Sequence, residues 1–156
     1  MSDDSTPQLP SLGFAKDLDE TARAALGSFG QFLTYNEGEH LIEEGQSQDS
    51  LFLVISGNFH VTTQATGRDV LLGQLKAGNM MGEVNIFDPG LASASVTAHT
   101  LSQAWKIDRS SLERFLEENS EAAARVLVGV ATQLSKRLRK TNEKVAMARE
   151  AMIGSF

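Results

Sequence analysis

The sequence predicts an α+β fold in which short strands broken by glycine lie between a short N-terminal helix and a long C-terminal one. Three observations carry this. Residues 31–107 alternate brief β-like runs with glycine corners. Leu18, Ala22, Leu26 and Phe29 recur at helical spacing. Residues 120–152 hold a heptad pattern. The length, 156 residues with 41% hydrophobic and 22% charged, is that of one folded domain.

Residues 1–13 read as a flexible leader, with two of the three prolines and little apolar content. In the helix that follows, Asp17 and Asp19 stand near the start, where carboxylates cap free N–H groups and suit the dipole. Gly27 and Gly30 weaken its end. The strand candidates are 31–35, 40–43, 51–56, 58–64, 69–75 and 93–107. Glycines 38, 45, 57, 67, 73, 78, 82 and 90 separate or interrupt them. Short strands at near-regular spacing with turn signals indicate a β-roll, a barrel or a sandwich. Ser110-Ser111-Leu112-Glu113 has the form of a capping box opening a helix to about residue 118, and Asn119 or Ser120 can cap the next.

In the last helix Leu127, Ala131, Leu134, Leu138, Thr141, Val145, Ala148 and Met152 follow steps of four and three. The economical reading of this seam is a parallel dimer with a second copy. The alternative is that it packs on the chain's own strands. Residues 126–131 are apolar all round and can serve both surfaces. Thr141 is polar among aliphatic neighbours; it either specifies register or aims its hydroxyl at a bound group. Lys136, Arg137, Arg139, Lys140, Glu143 and Lys144 read as the solvated faces.

The chain contains no cysteine, which excludes disulfides, thiolate metal sites and cysteine nucleophiles. The longest good apolar run, 126–131, is far short of a membrane span. The acidic start is not that of a secretory signal, and a cytoplasmic address is expected. Residues 1–120 carry 7 basic and 17 acidic groups, and residues 121–156 carry 7 and 3. The acidic body repels nucleic acid, so no nucleic-acid contact is expected of this chain.

Between residues 78 and 96 a glycine-rich cassette interrupts the strands. Gly82-Glu83 heads a short helical turn with free N–H groups and a fixed carboxylate, and Ser93 and Ser95 add donors at the far end. The N–H groups favour an anion, and the carboxylate can accept from sugar hydroxyls. A plain capping role for Glu83 is the alternative. His40, His60 and His99 are scattered, without metal-ligand spacing. Glu83 and Asp88 make no acid/base pair, and no P-loop or Gly-x-Ser-x-Gly is present. No catalytic residue, metal site or cofactor is expected, and the protein is not expected to be an enzyme.

Several segments together resemble the cyclic nucleotide-binding domain family, the sensor domains of catabolite activator and Crp-Fnr type. They are Tyr35-Asn-Glu-Gly-Glu39, Glu44-Gly45, Leu51-Phe-Leu-Val-Ile-Ser-Gly57, Leu75-Lys-Ala-Gly-Asn79 leading into Gly82-Glu83, and Lys136-Arg-Leu-Arg-Lys-Thr-Asn-Glu-Lys-Val145. The resemblance covers residues 14–152. It implies a β-roll (double-stranded β-helix, jelly-roll-like) with a long C-terminal dimerisation helix, acting as a regulatory module that senses cAMP or cGMP. The ligand site it implies comprises Gly82, Glu83, Val84, Ala92, Ser93, Ala94, Thr141 and Asn142. In it Glu83 accepts from the ribose 2′-hydroxyl, Ser93 touches the cyclic phosphate, Thr141 meets the purine, and Asn142 reaches over from the second copy.

One departure bears on affinity. The family places an arginine just before the position of Ser93, where this chain has Ala92, and Leu91 stands where many relatives have proline. A hydrogen bond to a charged group contributes about 1.5–3 kcal/mol, so nucleotide binding is expected to be weakened about 10–100-fold. No lysine or arginine between Lys76 and Lys106 offers a local replacement. The chain stops at Phe156 without the winged helix of the family's transcription factors. The expected domain therefore spans 14–156 with no DNA-binding domain. The competing readings are a degenerate dimerising protein that meets an unidentified protein partner, and the sensor half of a transcription regulator.

Overall fold

A computed structural model describes residues 7–64 and 67–154. Residues 1–6 of the expected leader lie outside it, while Leu9 is fully buried in the core. A single 3₁₀ turn, Gly13–Ala15, leads into α1 (Glu20–Ser28). Asp19 caps α1, its carboxylate accepting from the Ala22 N–H at 2.8 Å.

Ten strands follow among the described residues: β1 (Gln31–Tyr35), β2 (His40–Ile42), β3 (Ser47–Gln48), β4 (Ser50–Ser56), β5 (Phe59–Thr63), β6 (Val70–Leu75), β7 (Met80–Met81), β8 (Gly90–Leu91), β9 (Ser95–Ala98) and β10 (Ser102–Asp108). Helix α2 (Glu83–Phe87) sits between β7 and β8, and α3 (Arg109–Glu118) and α4 (Ser120–Ile153) end the chain. The run 93–107 splits into two strands. The two-residue strands β3, β7 and β8 were too short to be read as a pattern.

The class is α+β, but the expected β-roll is not what the strands build. They form separate antiparallel sheets in the orders β1-β10-β4-β7, β2-β9-β5-β6 and β3-β8, and no ladder joins one sheet to another. The physical reason is strand length. Each strand has two to seven residues, and the chain turns to a different sheet before a ladder can continue around a closed surface.

Alternation along β4 then explains the layers. Leu51 and Leu53 enter one core cluster with Trp105, Phe14, Leu26, Phe115, Val126 and Val130. Phe52 and Val54 enter a second with Phe59, Val96, Ala98 and Ala92. The first sheet is thus buried on both faces, against helices on one side and the second sheet on the other.

Two glycines set this geometry. Gly82 has φ 82°, and a Cβ there would strike the Ser50 carbonyl, so only glycine can start α2 at this point. Gly129 lets α4 close on the Phe14 carbonyl, where a Cβ would collide. Helix α4 is long because it serves two environments. Ala123, Val126 and Val130 are buried by the chain itself, and Leu134 is partly buried. Leu127, Leu138, Val145 and Met152 stand exposed.

The expected capping box does not form. Asp108 caps α3 instead, accepting from the Ser111 N–H at 2.8 Å, and Glu113 pairs with Arg109 at 3.0 Å. Asn119 stands at the N-cap of α4 but makes no side-chain cap bond; its Nδ2 donates to the Phe115 carbonyl. The Ser111 N–H, aided by the Ser111 and Ser110 side chains and by Arg114, holds the Asp108 carboxyl below its ordinary value. A carboxyl lowered in the folded state stabilises above its unfolded value, and that contribution is lost as pH falls through the native one. Asp108→Ala is expected to cost about 1 kcal/mol at neutral pH. The difference from the parent should vanish in acid; urea unfolding at both pH values checks this.

Candidate functional site

The cassette builds one wall of a cavity of about 510 Å³. Gly82, Glu83, Val84, Ala92, Ser93 and Ala94 all line it, between α2, the β8–β9 connection and β6. Thr141 and Asn142 do not line this cavity. The Thr141 hydroxyl donates to the Arg137 carbonyl one helical turn back, at 2.9 Å. Ser95 is drawn away from the cavity as well, its hydroxyl accepting from the Glu44 N–H at 2.9 Å.

Glu83 is the singular group. Its side chain is 6% exposed, although it opens a five-residue helix. Oε1 accepts from Arg137 Nη1, while Arg137 Nη2 donates to the Met80 carbonyl at 2.5 Å. Oε2 is buried and has no hydrogen-bond partner. A buried carboxylate oxygen left bare is costly, and Glu83 is one of the residues that line the cavity.

Ala92 is 5% exposed and part of the second core cluster, with its backbone tied to Gln46 and Gly45 at 2.8 Å each. Ser93 is exposed at the cavity edge.

Sequence reasoning missed the opposite wall. Gln133, Lys136, Arg137, Lys140 and Lys144 of α4 also line the cavity. The four cations among them read as a solvated helix face because nothing local in sequence ties α4 to the cassette. The packing of α4 on the first core cluster, with the Arg137 bonds to Glu83 and the Met80 carbonyl, brings them there. The absence of a basic group near Ala92 in sequence is therefore not an absence in space.

The three histidines, scattered in sequence, meet on the outer face of the second sheet. His40, His60 and His99 line a recess of about 740 Å³, and the rings of His60 and His99 stack with centroids 4.0 Å apart. The acids nearby serve the fold. Glu44 accepts from Thr63 Oγ1 at 2.7 Å and from the Gln64 N–H at 3.0 Å, and Asp69 accepts from Gln64 Nε2 at 3.0 Å. Among the described residues no group of three or more His, Asp or Glu side chains is arranged to hold a metal ion. No helix there is long and apolar enough to cross a membrane.

Residues 32–119 match the cyclic nucleotide-binding domain family. The chain is 32% identical over 135 residues to a CRP-like cAMP-activated global transcriptional regulator of Mycobacterium tuberculosis. That match covers 86% of this chain and 58% of the regulator's length. The N-terminal domain of a transcriptional regulator from Streptomyces coelicolor superposes with a TM-score of 0.69 at 30% identity, covering 82% of this chain and 89% of that one. A cyclic nucleotide-binding domain from Methylobacillus flagellatus shares the fold, with a TM-score of 0.79 at 22% identity over 83% of this chain and 74% of that one. With more than half of its length matched, the chain belongs to the cyclic nucleotide-binding domain family, as a regulatory sensor domain of Crp-Fnr-like type.

Proposed function

We propose that the chain senses a small phosphate-bearing ligand, cAMP, cGMP or a related nucleotide, in the cavity between α2 and α4. Occupancy is passed to the long helix of a homodimer. The observation that carries this is Glu83, a buried carboxylate lining the cavity, whose Oε2 has no hydrogen-bond partner and whose Oε1 is tied through Arg137 to α4. A ribose hydroxyl donating to Oε2 satisfies that oxygen. Because Arg137 belongs to α4, any change at Glu83 biases the position of that helix. A ligand shifts such an equilibrium only by its differential affinity for the two states. The sensing unit is residues 14–156, with Leu9 and Leu12 of the expected leader packed into its first core cluster. It suits a cytoplasmic protein that signals to a protein partner and makes no nucleic-acid contact of its own.

Ala92 supports a second reading, a degenerate module that dimerises without nucleotide. Calorimetric titration with cAMP and cGMP separates the two. Saturable binding supports the sensor. No heat up to millimolar ligand overturns it for these two nucleotides. Ala92→Arg is expected to tighten cAMP binding about tenfold or more, because it restores a charge-assisted contact at the cassette. An unchanged affinity would show that the phosphate does not lie beside residue 92.

A further inference from the structure

The cavity lacks the cassette's cation but is not short of positive charge. Lys136, Arg137, Lys140 and Lys144 line it, and Glu83 is the one acid among its lining residues. Arg137 already meets that acid. This concentration of cations stands in a chain whose net charge is −6. Among the described residues the ion pairs are Arg109–Glu113 and Arg137–Glu83, so Lys136, Lys140 and Lys144 are unpaired. They follow one another at steps of four and so share one face of α4, spanning about 12 Å along the axis at 1.5 Å per residue. One phosphate draws in neighbouring ammonium groups and leaves the rest of the row without a partner. Two or more phosphates along it can pair with the whole row.

We infer that the ligand of this cavity is a nucleotide carrying two or more phosphate groups, with its ribose hydroxyl at Glu83 Oε2 and its phosphates along Lys136, Lys140 and Lys144. The inference rests on the reading of the cavity as the ligand site and names the class of ligand. Ala92 is then no defect. The counter-charge has moved from the cassette to the helix that carries the signal, and phosphate binding pulls directly on α4.

The test is calorimetric titration of the full chain with three probes: cAMP, ATP and cyclic di-GMP. Cyclic AMP carries one phosphate and the others two or more; all three present a free ribose hydroxyl. ATP or cyclic di-GMP is expected to bind about tenfold or more tightly than cAMP, with a steeper loss at high salt. Lys136→Gln, Lys140→Gln and Lys144→Gln together are expected to weaken that binding about tenfold, since exposed pairs each count for little and act as a set. The single variant Lys140→Gln, at an exposed helix position, gives a smaller loss in the same direction and guards against a folding defect in the triple variant. If cAMP binds as tightly as the other probes, or the triple variant holds ATP and cyclic di-GMP as the parent does, this inference is overturned and the cavity remains a mononucleotide site. If no probe binds, the inference and the sensor reading fall together.

Discussion

Glu83→Ala is expected to abolish the nucleotide response while leaving the chain folded. The carboxylate is the one group in the cavity that combines deep burial, a charge partner on another element and an oxygen without a donor. Removing it deletes the acceptor for a ribose hydroxyl, a charged hydrogen bond of about 1.5–3 kcal/mol, and so weakens binding about 10–100-fold. It also cuts the tie through which Glu83 and α4 sense each other, so any ligand that still binds no longer moves the helix. Stability should change little, because Arg137 is 41% exposed and turns to water once its partner is gone. Glu83→Gln keeps an acceptor oxygen but loses the charge, and is expected to fall between parent and alanine variant. Titration followed by a helix-position readout, such as a spin label on α4, measures both effects. A full response in Glu83→Ala would remove the cassette from consideration as the ligand site.

The legible and illegible parts of this molecule differ in the range of the physics involved. Asp19 ahead of an apolar helical face, and the glycine at residue 82 before a carboxylate, act over a few residues and were readable. The strand pattern was readable for β1, β2, β4, β5 and β6, where apolar runs are bounded by glycine corners. The pairs β3–β8 and β4–β7 rest on two-residue strands held by long-range partners, and no local pattern announces them. The closed roll was an error of the same kind. Short strands and glycine corners say that the chain changes sheet, but only the register of the ladders says whether the sheets join. At the cavity the cassette was visible and the lysine wall was not. A row of lysines four residues apart looks alike whether it faces solvent or a cavity. The difference is made by Gly129 and Val130, which seat α4 on the core some way from the lysines themselves.

The second large effect concerns the seam. Leu138→Asp together with Val145→Asp is expected to raise the dimer dissociation constant by about a thousandfold or more. Both side chains stand open in the single chain, at 62% and 55% exposure, so they contribute little to its own core. Against a second copy each would be buried, worth about 1.5–3 kcal/mol per side chain, and each dimer holds two of each. Four aspartates along the axis add repulsion to the lost burial. Sedimentation velocity over a concentration series should show monomers. The thermal midpoint measured on the monomer should move little, since exposed substitutions usually change stability by under about 0.5 kcal/mol. A variant that stays dimeric would place the interface elsewhere, and one that unfolds would mean the seam belongs to the chain's own packing. The same variant bears on Thr141 and Asn142. They do not line their own chain's cavity, and a ligand contact from them across the axis, from a second copy, is the alternative the variant tests. A monomer that keeps the cavity and loses affinity would assign them that role. A monomer that binds as the dimer does would leave Thr141 as a seam residue whose hydroxyl serves the helix.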